Sequence, residues 1–204
     1  MYGLEDPLTC LMKDPPSKSR YKEQIITKIT SFHEKELRSE ASTNEMMPYF
    51  NVSLLGLRGK LHPSLTGVTT THAVRKMRPH IKMLSGNYLT HELKSQQSGG
   101  SPFCRLCENE SHTETLEHLI GKFEGLADIR SRIIISMNNT CQGAGLNINL
   151  NLYSSQQLTQ FVLDPSSINL KQRVSISHPI LPQLFQLSRD FCFAIDRSRT
   201  KSLM

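Results

Sequence analysis

The chain has 204 residues, of which 37% are hydrophobic and 6% aromatic, and it contains no tryptophan. It is long enough for one domain or two small ones, and this composition fits a helical protein with irregular stretches better than a dense β-sandwich. No apolar run reaches the roughly 20 residues that span a bilayer, and the N-terminus lacks a basic-then-apolar signal pattern. We therefore expect an intracellular chain, nuclear or cytoplasmic, with no membrane partner.

Charge is distributed unevenly along the chain, which has a net charge of +6. Residues 46–103 contain 7 basic residues and 1 acidic residue, whereas residues 104–128 contain 2 basic and 6 acidic residues. A positive stretch beside an acidic one indicates which part could contact a phosphate backbone. In a reducing compartment, cysteines favour metal binding or core packing over disulfides. The five cysteines are Cys10, Cys104, Cys107, Cys141 and Cys192.

Helical periodicity dominates the first half of the chain. Residues 1–20 are rich in Pro, Lys and Ser and are expected to be poorly ordered. Apolar residues at helical spacing predict an amphipathic helix over 21–40, and residues 41–68 are typical of an irregular connector. A second helix is predicted with Thr71 as its N-cap, and Pro79 inside its pattern predicts a kink or two shorter helices. A third helix covers "YLTHELKSQQ" and ends before a Ser-Gly-Gly-Ser-Pro loop.

The second half is also predicted to be helical. Ser111 and Glu114 match the S-x-x-E capping box, so a helix should begin near His112. The next helix ends in "NNTCQGAG", and the alternating "GLNINLNLY" that follows is compatible with a short strand or an Asn-rich loop. Further helices are expected over 154–163 and from Pro179. The last one should bury a stripe made of Leu181, Leu184, Phe185, Ser188, Cys192 and Ile195.

These elements together predict a mainly α fold. We expect a small helical domain with an embedded zinc-knuckle-like Cys/His turn and irregular connectors. Along the sequence it divides into four parts. These are a flexible N-terminal segment (1–20), a helical region with a basic belt (21–98), the Cys/His knuckle with its following helices (99–142) and a C-terminal helical region (143–204).

The segment "SPFCRLCENESHTETLEHLIGKF" contains three residues of the types that bind zinc. Cys104 and Cys107 form a C-x-x-C turn, which places two thiolates on one metal with little strain, and His118 follows on the next predicted helix. This spacing predicts one zinc ion. The candidates for a fourth ligand are His112, Cys141, Glu117 and water. The alternative interpretation is a pair of half-buried thiols beside an ordinary helical histidine.

This segment resembles the zinc knuckle near the C-terminus of non-LTR (LINE-type) retrotransposon reverse transcriptases. The family's knuckle reads C-x2-C, then a helix with "HLL", then a cysteine five residues after the histidine. Cys104, Cys107 and His118 match the first three ligands, whereas Phe123 stands in place of the last. The flanks "VRKMRPHIKMLSGNYLT" and "LTQFVLDPSSINLKQRVSISHPILPQLFQLSRDFCFAIDRSR" also resemble the family, so the likeness covers about residues 45–200.

The resemblance implies a piece of a larger parent protein. Family members have upstream endonuclease and reverse transcriptase domains, and polymerisation there depends on an aromatic-x-Asp-Asp motif. This chain has no Asp-Asp pair, no Gly-rich phosphate loop and no restriction-like nuclease motif. We therefore expect no catalytic residues and no enzymatic activity in this chain by itself.

Seven basic residues before the cysteines form what we call the basic belt: Arg58, Lys60, Arg75, Lys76, Arg78, Lys82 and Lys94. Arg75, Arg78 and Lys82 recur at i, i+3 and i+7, so they should share one helix face that suits phosphate contacts. The expected nucleic-acid-binding residues are Arg75, Lys76, Arg78, Lys82 and Lys94. The alternative for this face is a merely solvated surface.

Two functions follow from these observations. The first is a non-catalytic nucleic-acid-binding module from the C-terminus of a LINE-type reverse transcriptase, in which zinc orders the basic helices and RNA or target DNA is the partner. The alternative is a decayed retrotransposon fragment that binds no metal and is at most a protein-interaction module. Phe123 favours decay, whereas the three intact ligands and the belt favour function.

Overall fold

A computed structural model describes residues 17–43, 48–51, 62–107, 112–167 and 179–202. By its internal contacts the chain forms two compact units, residues 1–45 with 52–60 and residues 46–51 with 61–204. In the first unit, helix α1 (Lys18–Thr43) agrees with the predicted amphipathic helix, and none of its residues is buried. The expectations for residues 1–16 and for Arg58 and Lys60 lie outside the described residues.

The second unit is built from helices and turns. Its helices are α2 (Thr71–Leu84), α3 (His91–Ser98), α4 (Ala127–Gly143), α5 (Ser155–Leu163) and α6 (Ile180–Ser202). Short 3-10 turns lie at Pro63–Leu65, Glu124–Leu126, Leu150–Leu152 and Pro165–Ser167. Within the described ranges there is no strand, only an isolated bridge between Phe103 and Thr113. The mainly α fold is therefore confirmed; the four-part division of the sequence stays a prediction.

Helix α6 lies at the centre of the second unit, with α2 and α4 packed against it. All six residues of its predicted stripe are buried, including the large side chains Leu184 and Phe185. Met83 of α2 and Met137 of α4 belong to the same apolar cluster. Burial of this cluster is what holds the helices together, because short helices are marginal in water without tertiary packing. No helix among the described segments combines the length and apolarity needed to cross a bilayer.

The N-cap of α2 differs from the sequence prediction, and of the two alternatives predicted at Pro79 the division into two helices is excluded. Its N-cap is Thr70, whose side-chain oxygen accepts a hydrogen bond from the Ala73 N–H at 3.1 Å; Thr71 is already helical. The chain also continues as one helix through Pro79, so it does not divide into two. Pro79 lacks the N–H that would bond the Arg75 carbonyl one turn earlier. Burial of Pro79 against the core offsets that loss.

Residues 145–153 form a loop rather than a strand. Ile148 and Leu150 are buried, as the alternation predicted, but no neighbouring strand lies beside them in the described part of the chain. The Leu150 N–H, which a neighbouring strand would otherwise bind, donates to the side-chain Oδ1 of Asn138 on α4 at 2.9 Å. The segment then closes in the 3-10 turn Leu150–Leu152.

Buried polar side chains fasten the irregular connectors to the helices. Arg189 of α6 donates from Nη1 to the carbonyls of Ser64 and Thr66, at 2.9 and 3.2 Å. Asp164 is fully buried and accepts hydrogen bonds from the backbone N–H of Asn51 at 2.8 Å and of Ser166 at 3.1 Å. These bonds satisfy backbone groups that a helix would otherwise satisfy internally.

His80 of α2 is fully buried against this core. Its Nε2 lies 2.8 Å from the Leu163 carbonyl, and burial lowers its pKa to about 4. The unfolded chain, with a pKa near 6.5, takes up the proton first as pH falls, so stability should fall between about pH 6.5 and 4. Because the ring is neutral near pH 7, Nε2 carries its one proton and donates it to the Leu163 carbonyl.

His80→Gln should remove part of this acid sensitivity, since the amide can donate to Leu163 but does not titrate. His80 alone should account for about 3 kcal/mol of lost unfolding free energy by pH 4. Urea unfolding of both proteins at pH 7, 5.5 and 4.5 measures the difference. Burial also lowers the pKa of His62 to about 4. The unfolding free energy of the variant should therefore still depend on pH, but less steeply than that of the wild type. Identical pH slopes in the two proteins would contradict this role.

Candidate metal centre

A short backbone pairing brings the Cys/His segment together. The Cys104 N–H donates to the His112 carbonyl at 2.8 Å, and the Glu114 N–H donates to the Pro102 carbonyl at 2.9 Å. Between them, Phe103 and Thr113 form the antiparallel bridge. The chain is thereby folded back on itself, so that residues after 114 return beside the C-x-x-C turn. That turn is closed by the Cys107 N–H donating to the Cys104 carbonyl at 3.3 Å.

The helical turn that carries His118 begins later than the capping box predicts. Thr115 is the residue that caps it, because its Oγ1 accepts from the His118 N–H at 3.0 Å. Residues His118–Lys122 then form a single π-helical turn, which the Phe123 N–H closes on the His118 carbonyl at 2.8 Å. The prediction of a helix start near His112 was wrong, since residues 112–114 are used in the backbone pairing.

Cys104, Cys107 and His118 each offer one ligand atom, and these atoms all lie within 4.8 Å of one another. The closest pair is Cys107 Sγ and His118 Nε2, at 3.2 Å. Cys104 and His118 are buried, and Cys107 is half-buried. The three residues that the sequence singled out therefore meet at one place, in an arrangement compatible with a metal ion.

The chemistry of these three groups fits a borderline-soft ion such as zinc. Thiolate sulfur and imidazole nitrogen are preferred zinc ligands, and across a tetrahedral zinc a sulfur and a nitrogen would be about 3.5 Å apart. The 3.2 Å contact suits a direct Cys107–His118 hydrogen bond that opens slightly around an ion. Burial lowers the pKa of His118, so its ring is neutral as a ligand must be. Its Nδ1 is buried with no hydrogen-bond partner among the described residues.

None of the three side chains considered as a fourth ligand joins this group in the described structure. His112 comes nearest, with its ring centroid 5.4 Å from that of His118, but its side chain is exposed. Cys141 is buried in the core cluster, where desolvation raises its pKa to about 11. Glu117 accepts a hydrogen bond from the Tyr49 hydroxyl at 3.2 Å.

Phe123 occupies the place that a cysteine has in the resembled family. Its ring is buried and lies 6.1 Å from the His118 ring, centroid to centroid. A Cβ at Gly125 would come within 2.7 Å of Phe123 Cζ, so only glycine at 125 leaves room for this ring. The position is therefore filled by a packed aromatic side chain.

Glu114 is the residue of this site that the sequence analysis assigned wrongly. It is fully buried rather than being a surface capping residue. Its Oε1 accepts from the His91 N–H at 2.9 Å and lies 2.8 Å from Arg199 Nη2, while its Oε2 lies 3.8 Å from Cys104 Sγ. Because Arg199 is on α6, far along the chain, no local pattern could reveal this contact. The sequence offers one indication of this role: Glu114 lies between the candidate ligands Cys107 and His118 along the chain.

The basic residues of α2 point in two directions. Arg75, Arg78 and Lys82 are exposed, and no carboxylate pairs with them in the part of the chain that the structure describes. Lys76 is different, since its Nζ lies 2.7 Å from Asp190 Oδ1 on α6. Three of the four α2 cations are thus available to an outside partner, while the fourth links two helices.

Lys94 is exposed on α3, a different helix from the other four cations. It lies near enough to His91 to contribute to the lowering of that residue's pKa, which burial causes in the main. The structure therefore places Lys94 apart from the three exposed cations of α2.

Comparisons of the chain with protein-family models, curated proteins and solved structures found no match. The resemblance to LINE-type reverse transcriptases accordingly rests on the motif and flanking residues quoted above. What the chain does has to be inferred from the geometry of its own side chains.

Proposed function

We propose that this chain is a non-catalytic helical module in which a zinc ion fastens the Cys/His turn and an exposed basic face contacts nucleic acid. The convergence of Cys104, Cys107 and His118 is the observation that carries the proposal. Its origin would be the C-terminal region of a LINE-type reverse transcriptase, joined in the parent protein to upstream polymerase and endonuclease domains. In that protein the module would position RNA template or target DNA.

A structural role for the metal is supported by the burial of its ligands. Cys104 is 0% and His118 5% exposed, which leaves little access for a substrate. Structural zinc sites are closed in this way, whereas catalytic sites keep an open position. The ion would join the C-x-x-C turn to the π-helical turn, two segments that also pack on the apolar cluster through Leu106, Leu119 and Ile120.

The nucleic-acid role is supported by the exposed face of α2. Arg75, Arg78 and Lys82 span about 10 Å of helix, enough to reach successive phosphates. Tyr88, the aromatic residue nearest in sequence, is buried, and its hydroxyl donates to Asp196 at 3.2 Å, so it is not available to stack on a base. Binding through phosphates alone would be strongly salt-dependent and tolerant of sequence.

A metal-free remnant with at most a protein-interaction role is the second candidate. The packed ring of Phe123 favours it, because a cysteine would be needed there for the family's full ligand set. The main apolar cluster also closes without any metal, since α2 and α4 each pack directly against α6. In this case a chelator would leave the thermal unfolding midpoint unchanged.

The zinc assignment predicts one ion per chain in protein purified without added metal. Cys107→Ala should lower zinc affinity more than tenfold, because it removes a thiolate ligand. Cys141→Ala is the matched control, with the same atoms removed from a thiol in the core, and should keep its zinc. Mass-spectrometric metal analysis after dialysis measures all three proteins. Wild-type protein without zinc would favour the remnant.

The nucleic-acid assignment predicts a loss of binding when Arg75, Arg78 and Lys82 are all changed to Gln. Affinity for a single-stranded RNA or a DNA duplex should fall roughly tenfold to 100-fold at 0.1 M salt. The slope of log K against log salt should fall by about 2 to 3, close to one per lost phosphate contact. Fluorescence anisotropy at several salt concentrations gives both numbers.

The control for this triple variant removes the same charge elsewhere. Lys18, Arg20 and Lys22 are exposed on α1, and changing all three to Gln alters net charge equally. If both triple variants lose the same affinity, binding reflects overall charge and the α2 face has no special role. If neither loses affinity, the nucleic-acid proposal fails.

A further inference from the structure

The two oxygens of the Glu114 carboxylate have very different surroundings. Oε1 receives both strong bonds, from the His91 N–H at 2.9 Å and from Arg199 Nη2 at 2.8 Å. Among the described residues, Oε2 has Cys104 Sγ at 3.8 Å and His91 Nε2 at 4.0 Å. The side chain is 0% exposed, so bulk solvent does not reach Oε2.

A buried carboxylate oxygen without a strong donor is costly. A thiol is a weak donor, and a 4.0 Å separation is too long for a hydrogen bond to His91. His91 Nε2 is itself buried without a hydrogen-bond partner among the described residues. Oε2 therefore faces a candidate metal-binding cysteine, and its hydrogen-bond donor among the described residues is that weak thiol.

We infer that Glu114 supplies the fourth ligand, through Oε2, to the ion held by Cys104, Cys107 and His118. This inference rests on the proposed function. Carboxylate oxygen is a common zinc ligand, and across a tetrahedral zinc a sulfur and a carboxylate oxygen would be about 3.5–3.7 Å apart. The Cys104–Glu114 separation of 3.8 Å is close to that value. Glu114 lies outside the group whose ligand atoms are all within 4.8 Å of one another, so Oε2 has to move closer to Cys107 and His118 to share one ion.

Charge balance at the site supports the same assignment. Two thiolates and one carboxylate on a divalent ion leave a net charge of −1, which is expensive to bury alone. Arg199, whose side chain is 17% exposed, contacts the same carboxylate through its other oxygen and brings the total to zero. Metal-binding side chains are commonly held by such outer hydrogen bonds. Arg199 and His91 would then be positioning residues that orient Glu114.

The other places for a fourth ligand are less suitable in this structure. Phe123 fills the family's cysteine position, and the Cys141 thiol belongs to the α4 core. His112 is near His118, but its exposed side chain carries no second contact that would hold it there. Among these described side chains, Glu114 combines burial with proximity to a candidate ligand atom, and its Oε2 has a weak thiol as donor.

Optical titration of the full-length chain with Co²⁺ tests the inference, because cobalt reports the number and type of its ligands. The wild type should give a tetrahedral spectrum with thiolate charge-transfer bands. Glu114→Gln should lower Co²⁺ affinity at least tenfold and shift the visible bands, since a neutral amide replaces an anionic oxygen. Glu117→Gln, the same change three residues on, should stay within about twofold of wild type with unshifted bands.

Arg199→Met separates the positioning role from ligation. It removes the ion pair that orients Glu114 but leaves the carboxylate, so Co²⁺ affinity should fall while the visible bands differ from those of Glu114→Gln. If Glu114→Gln keeps wild-type affinity and bands, Glu114 is not a ligand, and the zinc proposal itself still stands. If the wild type shows no thiolate charge-transfer band, both proposals fail.

Infrared spectroscopy of the wild type tests the ligation by Glu114 without depending on whether a variant folds. The infrared difference spectrum between metal-loaded and metal-free protein should contain shifted carboxylate stretching bands, and Glu117→Gln should retain them. A difference spectrum without carboxylate bands would overturn the inference even if Glu114→Gln does not fold.

Discussion

The backbone pairing of residues 102–104 with 112–114 decides whether this chain has a metal centre at all. Without it, Cys107 and His118 are eleven positions apart on a segment with no core of its own; with it, Sγ and Nε2 are 3.2 Å apart. The pairing is small, with an isolated bridge at Phe103 and Thr113. An ion binding across its two ends would stabilise it directly, because binding energy then becomes folding energy.

Glu114 connects this local pairing to the rest of the second unit. Its backbone N–H belongs to the pairing, and its carboxylate reaches the first residue of α3 and Arg199 near the end of α6. A change at the Cys/His group can therefore reach two helices through one buried side chain. In the proposed function, this connection is how an ion at the group would order the neighbouring basic helices.

Elements with strong periodicity could be predicted from the sequence, and elements decided by distant contacts could not. The stripe from Leu181 to Ile195 is buried as its spacing indicates, since a 3.6-residue period is a local property. The S-x-x-E pattern at Ser111 was misleading, because the Glu114 carboxylate pairs with Arg199 of α6. The alternation near Ile148 left a strand and a loop open, and the contact with Asn138 of α4, which no local pattern shows, accompanies the loop. The convergence of Cys104 and Cys107 could be predicted because C-x-x-C spacing is itself local geometry, and the structure brings His118 to the same place.

X-ray absorption at the zinc edge of the loaded, full-length protein tests the central claim most directly, since it counts the atoms around the ion. We predict two sulfur neighbours at about 2.3 Å and two nitrogen or oxygen neighbours at about 2.0–2.1 Å, one of them an imidazole. Four nitrogen or oxygen neighbours with no sulfur would contradict the account, because Cys104 and Cys107 would then not be ligands.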